Sequence, residues 1–197
     1  MGFADADWAA DKETRQSRTG FVFLLGGSIS WKSALQRTVA ASTSESEYIS
    51  MAEEAKEGIW IVSIINEIGL GDVKPVQLYQ DNQGAVAMAK NPGSHNRTKH
   101  IDIRYHFIRQ KIEDGTFKVS YCPTQDMIAD ILTKPISGEQ FWNLREKLGV
   151  VNLEHGGVLE MLQDYDKGDV IGEPRSASGA PSLLLFQGGD KAVSHVT

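Results

Sequence analysis

One cysteine, Cys122, in 197 residues excludes a disulfide framework, and no Cys/His spacing matches a zinc site. A reducing compartment is therefore expected. No apolar stretch reaches the length needed to cross a bilayer, and the N-terminus lacks the basic-then-apolar layout of a signal peptide. The expectation is a soluble intracellular protein, cytoplasmic or nuclear. Positive charge is also scarce, with 20 Lys and Arg against 26 Asp and Glu and a formal net charge of −6. The deficit is uneven. From residue 150 onward three basic residues stand against seven acidic ones, whereas between Lys90 and Lys118 seven basic residues stand against three, beside His95, His100 and His106. That stretch is a local basic patch on an otherwise acidic chain.

A hydrophobic fraction of 41% supports one well-cored domain with room for an appendage. "GFADAD" (2–7) reads as a short strand, and "TGFVFLLGG" (19–27) with "SISWKS" (28–33) as a hairpin turning at Gly26-Gly27. Residues 42–69 carry the longest helical pattern, capped by Ser42 or Thr43 and stopped at Gly69. "VQLYQ" (76–80) predicts a strand and Gln83–Lys90 a short helix. Then follow a helix over 101–115, a strand over 117–122 and a final helix from Gln125 to Leu132. A hairpin followed by alternating elements implies an α/β mixed sheet with helices on its faces. From Gly149 to Thr197 the chain turns acidic and rich in Gly, Ser and Pro, which predicts a disordered tail after a domain of residues 1–148.

Four carboxylates stand out by their place in this order: Asp5 on the first strand, Glu47 near the start of the long helix, Asp81 at the carboxyl end of the fourth strand, and Asp130 on the last helix. In an open α/β sheet, ligands gather beyond the carboxyl ends of strands where the strand order reverses. Were the first and fourth strands neighbours, Asp5 and Asp81 would share one edge, and a helix packed over them would bring Glu47 close. Carboxylates converging there repel unless cations sit among them, and oxygen-only donors suit Mg²⁺ or Mn²⁺. Singly, each has a plainer reading: Asp81 as a helix N-cap, Glu47 as a helix-dipole residue, Asp130 as a surface residue. Asp5 and Asp7 do not open a calcium loop, because Ala9, Ala10 and Gln16 occupy its third acidic, glycine and bidentate positions.

The blocks "DADWA", "RTGFVFLLGGSISWKS", "STSESEYISMAEEAKEGIW", "YQDNQGAVAMAKNP", "RTKHIDIRYHFIRQ" and "IADILTKP" resemble, in this order, the ribonuclease H domain of copia-type long-terminal-repeat retrotransposon Pol polyproteins. The resemblance covers residues 2–148. It implies a ribonuclease H-like fold, a five-stranded mixed sheet with helices on both faces. It also implies two-metal hydrolysis of the RNA strand of an RNA:DNA hybrid, with Asp5, Glu47, Asp81 and Asp130 as catalytic metal ligands for two Mg²⁺ or Mn²⁺ ions. Asp5 would bridge the ions, with Glu47 and Asp81 on one side and Asp130 on the other. Lys99, His100 and Arg104, within the basic stretch, are candidate phosphate contacts, with a solvated helix face as the plainer reading. Trp8 and Trp31 are read as core or rim packing. The implied partners are the hybrid and a reverse transcriptase domain supplied elsewhere; a monomer without membrane attachment is expected.

Two departures accompany the resemblance. Cellular ribonucleases H carry a histidine between the last strand and the last catalytic aspartate, whereas the interval here, "PTQDMIA" (123–129), has none. Met1 also falls almost at the first strand, which reads as clipped. The alternative to a hydrolase is a catalytically silent relic of the same fold, acting as a binding module or without function.

Overall fold

A computed structural model describes residues 1–90 and 99–150, with backbone alone at 99–103 and 105. The tail beyond residue 150 lies outside the described residues. The polypeptide runs β1 (Gly2–Asp7), β2 (Arg18–Leu24), β3 (Ser28–Leu35), α1 (Thr43–Glu67), β4 (Val76–Gln80), α2 (Gln83–Lys90), α3 (Lys99–Glu113), β5 (Phe117–Tyr121) and α4 (Gly138–Lys147). The strands form one sheet in the order β3-β2-β1-β4-β5. β1 is antiparallel to β2 and parallel to β4, and β4 is parallel to β5. The strand order therefore reverses between β1 and β4, and both strands end at the same edge. The result is the five-stranded mixed α/β sheet that the resemblance implies.

Local chemistry accounts for most boundaries. Gly26, at φ 74°, takes the left-handed turn of the β2–β3 hairpin, a conformation open to glycine without steric cost. Ser42 caps α1, its hydroxyl accepting from the Glu45 N–H at 3.2 Å while the Glu45 carboxylate accepts from the Ala41 N–H at 2.9 Å. One core, with Phe23, Tyr48, Met51, Leu78, Ile108 and Phe117, lies between the sheet and α1, α2 and α3; a smaller one on the other face joins Phe3, Val22, Met127 and Ile128. β1 pairs with β2 over its whole length but meets β4 only from Gly2 to Ala4, leaving Val76 and Gln77 without a β1 partner.

Three expectations need correction. Residues 125–132 do not form an α-helix: Met127 is extended (φ −72°, ψ 96°) and splits the run into 3₁₀ turns at Thr124–Asp126 and Ile128–Leu132. Burying Met127, Ile128 and Ala129 on the sheet outweighs helical propensity there. The last helix is instead α4. Its signal was present as a Ser-x-x-Gln capping pattern, with the Ser137 hydroxyl accepting from the Gln140 N–H at 3.4 Å. Trp31, 64% exposed, is not a core residue, whereas Trp8, 43% exposed, packs at the rim as read, its indole N–H donating to the Ala40 carbonyl at 3.1 Å.

Candidate metal centre

Register brings the first two carboxylates together. The last β1–β4 pair is Ala4 with Gln80, so one step further Asp5 and Asp81 come abreast at the carboxyl edge. Asp81 does not cap α2. Asn82 does, its side-chain oxygen accepting from the Ala85 N–H at 2.9 Å and its carbonyl from the Val86 N–H at 3.0 Å. The Asp81 carboxylate accepts from the Thr124 hydroxyl at 2.8 Å. Glu47 arrives from above. The Ser50 hydroxyl donates to the Asp5 carbonyl at 2.7 Å, pinning α1 over the end of β1, and Glu47, one turn earlier, reaches past it.

One carboxylate oxygen from each of Asp5, Glu47 and Asp81 lies within 4.8 Å of the others. Asp5 is 1% exposed and Glu47 7%, and Glu47 Oε2 is buried with no hydrogen-bond partner. Burial, then the charges of Asp5 and Asp81, push Glu47 up to about 9; burial and Asp5 raise Asp81 as well. A buried all-oxygen cluster that includes a carboxylate with an orphaned oxygen fits a hard divalent cation of the Mg²⁺ or Mn²⁺ type.

Asp130 is also at this edge and 1% exposed, but it lies outside that three-carboxylate group. It is held by the second 3₁₀ turn, which packs directly on β2 because the residue opposite Asp5 is Gly20. A Cβ at Gly20 would stand 2.6 Å from the Thr133 methyl and 2.9 Å from Leu132 Cβ. The close approach lets the Thr133 hydroxyl donate to both Asp5 Oδ2 and, at 3.2 Å, the Asp130 carbonyl. Gly20→Ala is therefore expected to displace the 130–133 segment, lower stability by about 1–3 kcal/mol, and shrink any metal-induced rise in melting temperature. Paired thermal melts with and without Mn²⁺ check this.

Sequence reasoning overlooked Lys134. Its ammonium lies 2.9 Å from Asp130 Oδ1 and 3.5 Å from Asp5 Oδ1. Burial opposes its charge, but Asp5 and Asp130 outweigh that and raise its pKa. Burial first, then Asp5, drive Asp130 upward despite the lysine. The spacing of four residues after Asp130 was the available signal. Of the candidate phosphate contacts, Arg104 is half-buried on α3 with one guanidinium nitrogen buried and without a hydrogen-bond partner. The side chains of Lys99 and His100 lie outside the described residues. The interval 123–129, which lacks a histidine, instead supplies Thr124 to Asp81.

The chain is 42% identical over 152 residues to the Retrovirus-related Pol polyprotein from transposon RE1 of Arabidopsis thaliana, covering 77% of this chain and 10% of that protein. It is 44% identical over 150 residues to the Retrovirus-related Pol polyprotein from transposon TNT 1-94 of Nicotiana tabacum, covering 76% and 11%. The chain strongly resembles the ribonuclease H domain of retrotransposon Pol polyproteins. It spans about a tenth of the length of these relatives. No family model matches. Among solved structures, LC11-RNase H1 in complex with RNA/DNA hybrid superposes with a TM-score of 0.47 at 14% identity, over 67% of this chain and 91% of that one. The acidic cluster lies at the carboxyl edge of the sheet, where β1 and β4 run side by side. No helix among the described residues is long and apolar enough to cross a membrane.

Proposed function

We propose that this ribonuclease H-like domain cleaves the RNA strand of RNA:DNA hybrids, with Asp5, Glu47, Asp81 and Asp130 as its catalytic carboxylates. The observation that carries the reading is the approach of Asp5, Glu47 and Asp81 to within 4.8 Å with a buried, unpartnered Glu47 oxygen. Such a group repels itself unless cations are held there. Bound divalent ions supply an activated water and offset charge on the leaving oxygen. Asp5, Glu47 and Asp81 would hold one ion, and Asp5 with Asp130 a second. The neighbouring hydroxyls orient these groups: Thr133 fixes Asp5, and Thr124 fixes Asp81. Glu47 must release its proton to ligate, which makes cation binding pH-dependent.

Arg104, in the basic stretch, is proposed to contact phosphate, with Lys99 and His100 beside it in sequence. A hybrid is the proposed substrate because its near-A-form minor groove presents 2′-hydroxyls on one strand only. A reverse transcriptase domain supplied elsewhere is the proposed source of that hybrid.

The test is incubation of the full chain with labelled RNA:DNA hybrid, single-stranded RNA and duplex DNA in Mn²⁺. Cleavage of the RNA strand of the hybrid alone is expected. Hybrid binding should weaken with salt, and Arg104→Ala should flatten the log–log slope by about one. Metal-induced stabilisation without cleavage of any hybrid would leave a metal-binding fold that has lost hydrolysis.

A further inference from the structure

The carboxylates at the sheet edge fall into two sets that share Asp5. In the first, Asp5 converges with Glu47 and Asp81, neither of which has a cationic side chain within ion-pair distance among the described residues, and Glu47 Oε2 is orphaned. In the second, Asp5 and Asp130 already face a cation: the ammonium of Lys134, at 3.5 and 2.9 Å. Both Asp130 oxygens are buried and have no hydrogen-bond partner besides the Lys134 ammonium, so this contact is the compensation given for their charge. Leaving such a group buried and unpaired is strongly unfavourable. Lys134 itself is 32% exposed at its side chain, on a flexible stem that can swing to solvent.

We infer that Lys134 is a built-in counter-ion for the Asp5–Asp130 pair, one that a divalent cation has to displace. This rests on the metal reading above and deepens it, because it assigns an order to the two sets. In the Asp5–Glu47–Asp81 set the ammonium faces Asp5 alone, at 3.5 Å, and leaves Glu47 and Asp81 open to a cation, while in the Asp5–Asp130 set it faces both carboxylates. The first takes its ion at lower concentration, and the second only after Lys134 leaves. The lysine thereby keeps the metal-free edge folded and sets the threshold for full occupancy.

The experiment uses the full chain, with MnCl₂ alone as the probe, and reads melting temperature and calorimetric binding for wild type, Lys134→Gln and Lys134→Arg. In chelator, Lys134→Gln is expected to melt below wild type and Lys134→Arg close to it. In Mn²⁺, the half-saturating concentration of the weaker phase is expected to fall about tenfold or more in Lys134→Gln, since a like charge near 4 Å has been removed. Folding of Lys134→Gln only in Mn²⁺ would support the inference in its strongest form. Should that variant stay unfolded throughout, Lys134→Gln combined with Asp130→Asn decides. Recovery of folding supports charge compensation, and failure to recover makes Lys134 a packing residue and overturns the inference. Identical Mn²⁺ titrations in wild type and Lys134→Gln overturn this inference alone. Absence of any Mn²⁺ response in wild type overturns the metal reading together with it.

Discussion

Asp81→Asn is expected to melt at the wild-type temperature or above it in chelator, to gain little from Mn²⁺, and to cleave hybrid roughly a thousandfold more slowly, the rate equivalent of about 4 kcal/mol. The first outcome follows from the raised pKa of Asp81, due to burial and the nearby Asp5 charge. Removing the charge relieves repulsion, and an asparagine oxygen can still accept from Thr124. No helix cap is lost, because Asn82 performs that role. The second outcome follows from linkage. An ion held only by the folded state stabilises it by RT ln(1 + [L]/Kd), about 1.4–2.7 kcal/mol at ten to a hundred times its dissociation constant. The wild-type chain should show that gain and the variant should not. Equal Mn²⁺ gains in both proteins, or undiminished cleavage by the variant, would remove Asp81 from the ligand set.

The metal-free protein is expected to lose stability as pH rises from about 5 to 9, by roughly 2–4 kcal/mol, the reverse of the trend given by salt-bridged carboxylates. Glu47, pushed up to about 9, and Asp81 and Asp130, also raised, bind protons more tightly folded than unfolded. Their contribution is complete below the ordinary carboxylate range and disappears as pH climbs through the folded values. Lys134, raised as well, stays charged in both states across this window and adds no slope. Saturating Mg²⁺ should flatten most of the decline, because the ion takes the place of the protons. A residue of the slope should survive and vanish in Glu54→Gln. Glu54 is fully buried far from the edge, both its oxygens unpartnered, and burial drives its pKa well up against the weaker pull of the Met1 ammonium. Urea melts at pH 5, 7 and 9, with and without Mg²⁺, measure both parts. Stability rising with pH in chelator would contradict the arrangement of the whole cluster.

Much of this was legible in residue order. β4 and α2 begin and end where periodicity and the Lys90 boundary put them, and Ser42 caps α1 by the same chemistry that marks it in the sequence. These are local matters, decided within a few residues by hydrogen bonding and side-chain period. The convergence of Asp5, Glu47 and Asp81 was legible too, because parallel neighbouring strands bring their carboxyl ends to one edge, whereas Asp130, chosen with them, lies outside that three-carboxylate group. The division of labour in "YQDNQG" was not. Aspartate and asparagine cap helices about equally well, so only the path of the chain into α2 could assign the cap to Asn82 and leave Asp81 free. The same holds for 125–132, where burial of Met127 against the sheet overrode a helical pattern, and for Gly20, whose missing side chain matters only because Thr133 lies against it. Lys134 was hidden for a related reason: a lysine following a buried aspartate is ordinary in sequence. It became a counter-ion once long-range packing carried Asp5, Asp130 and its own ammonium to one edge of the sheet.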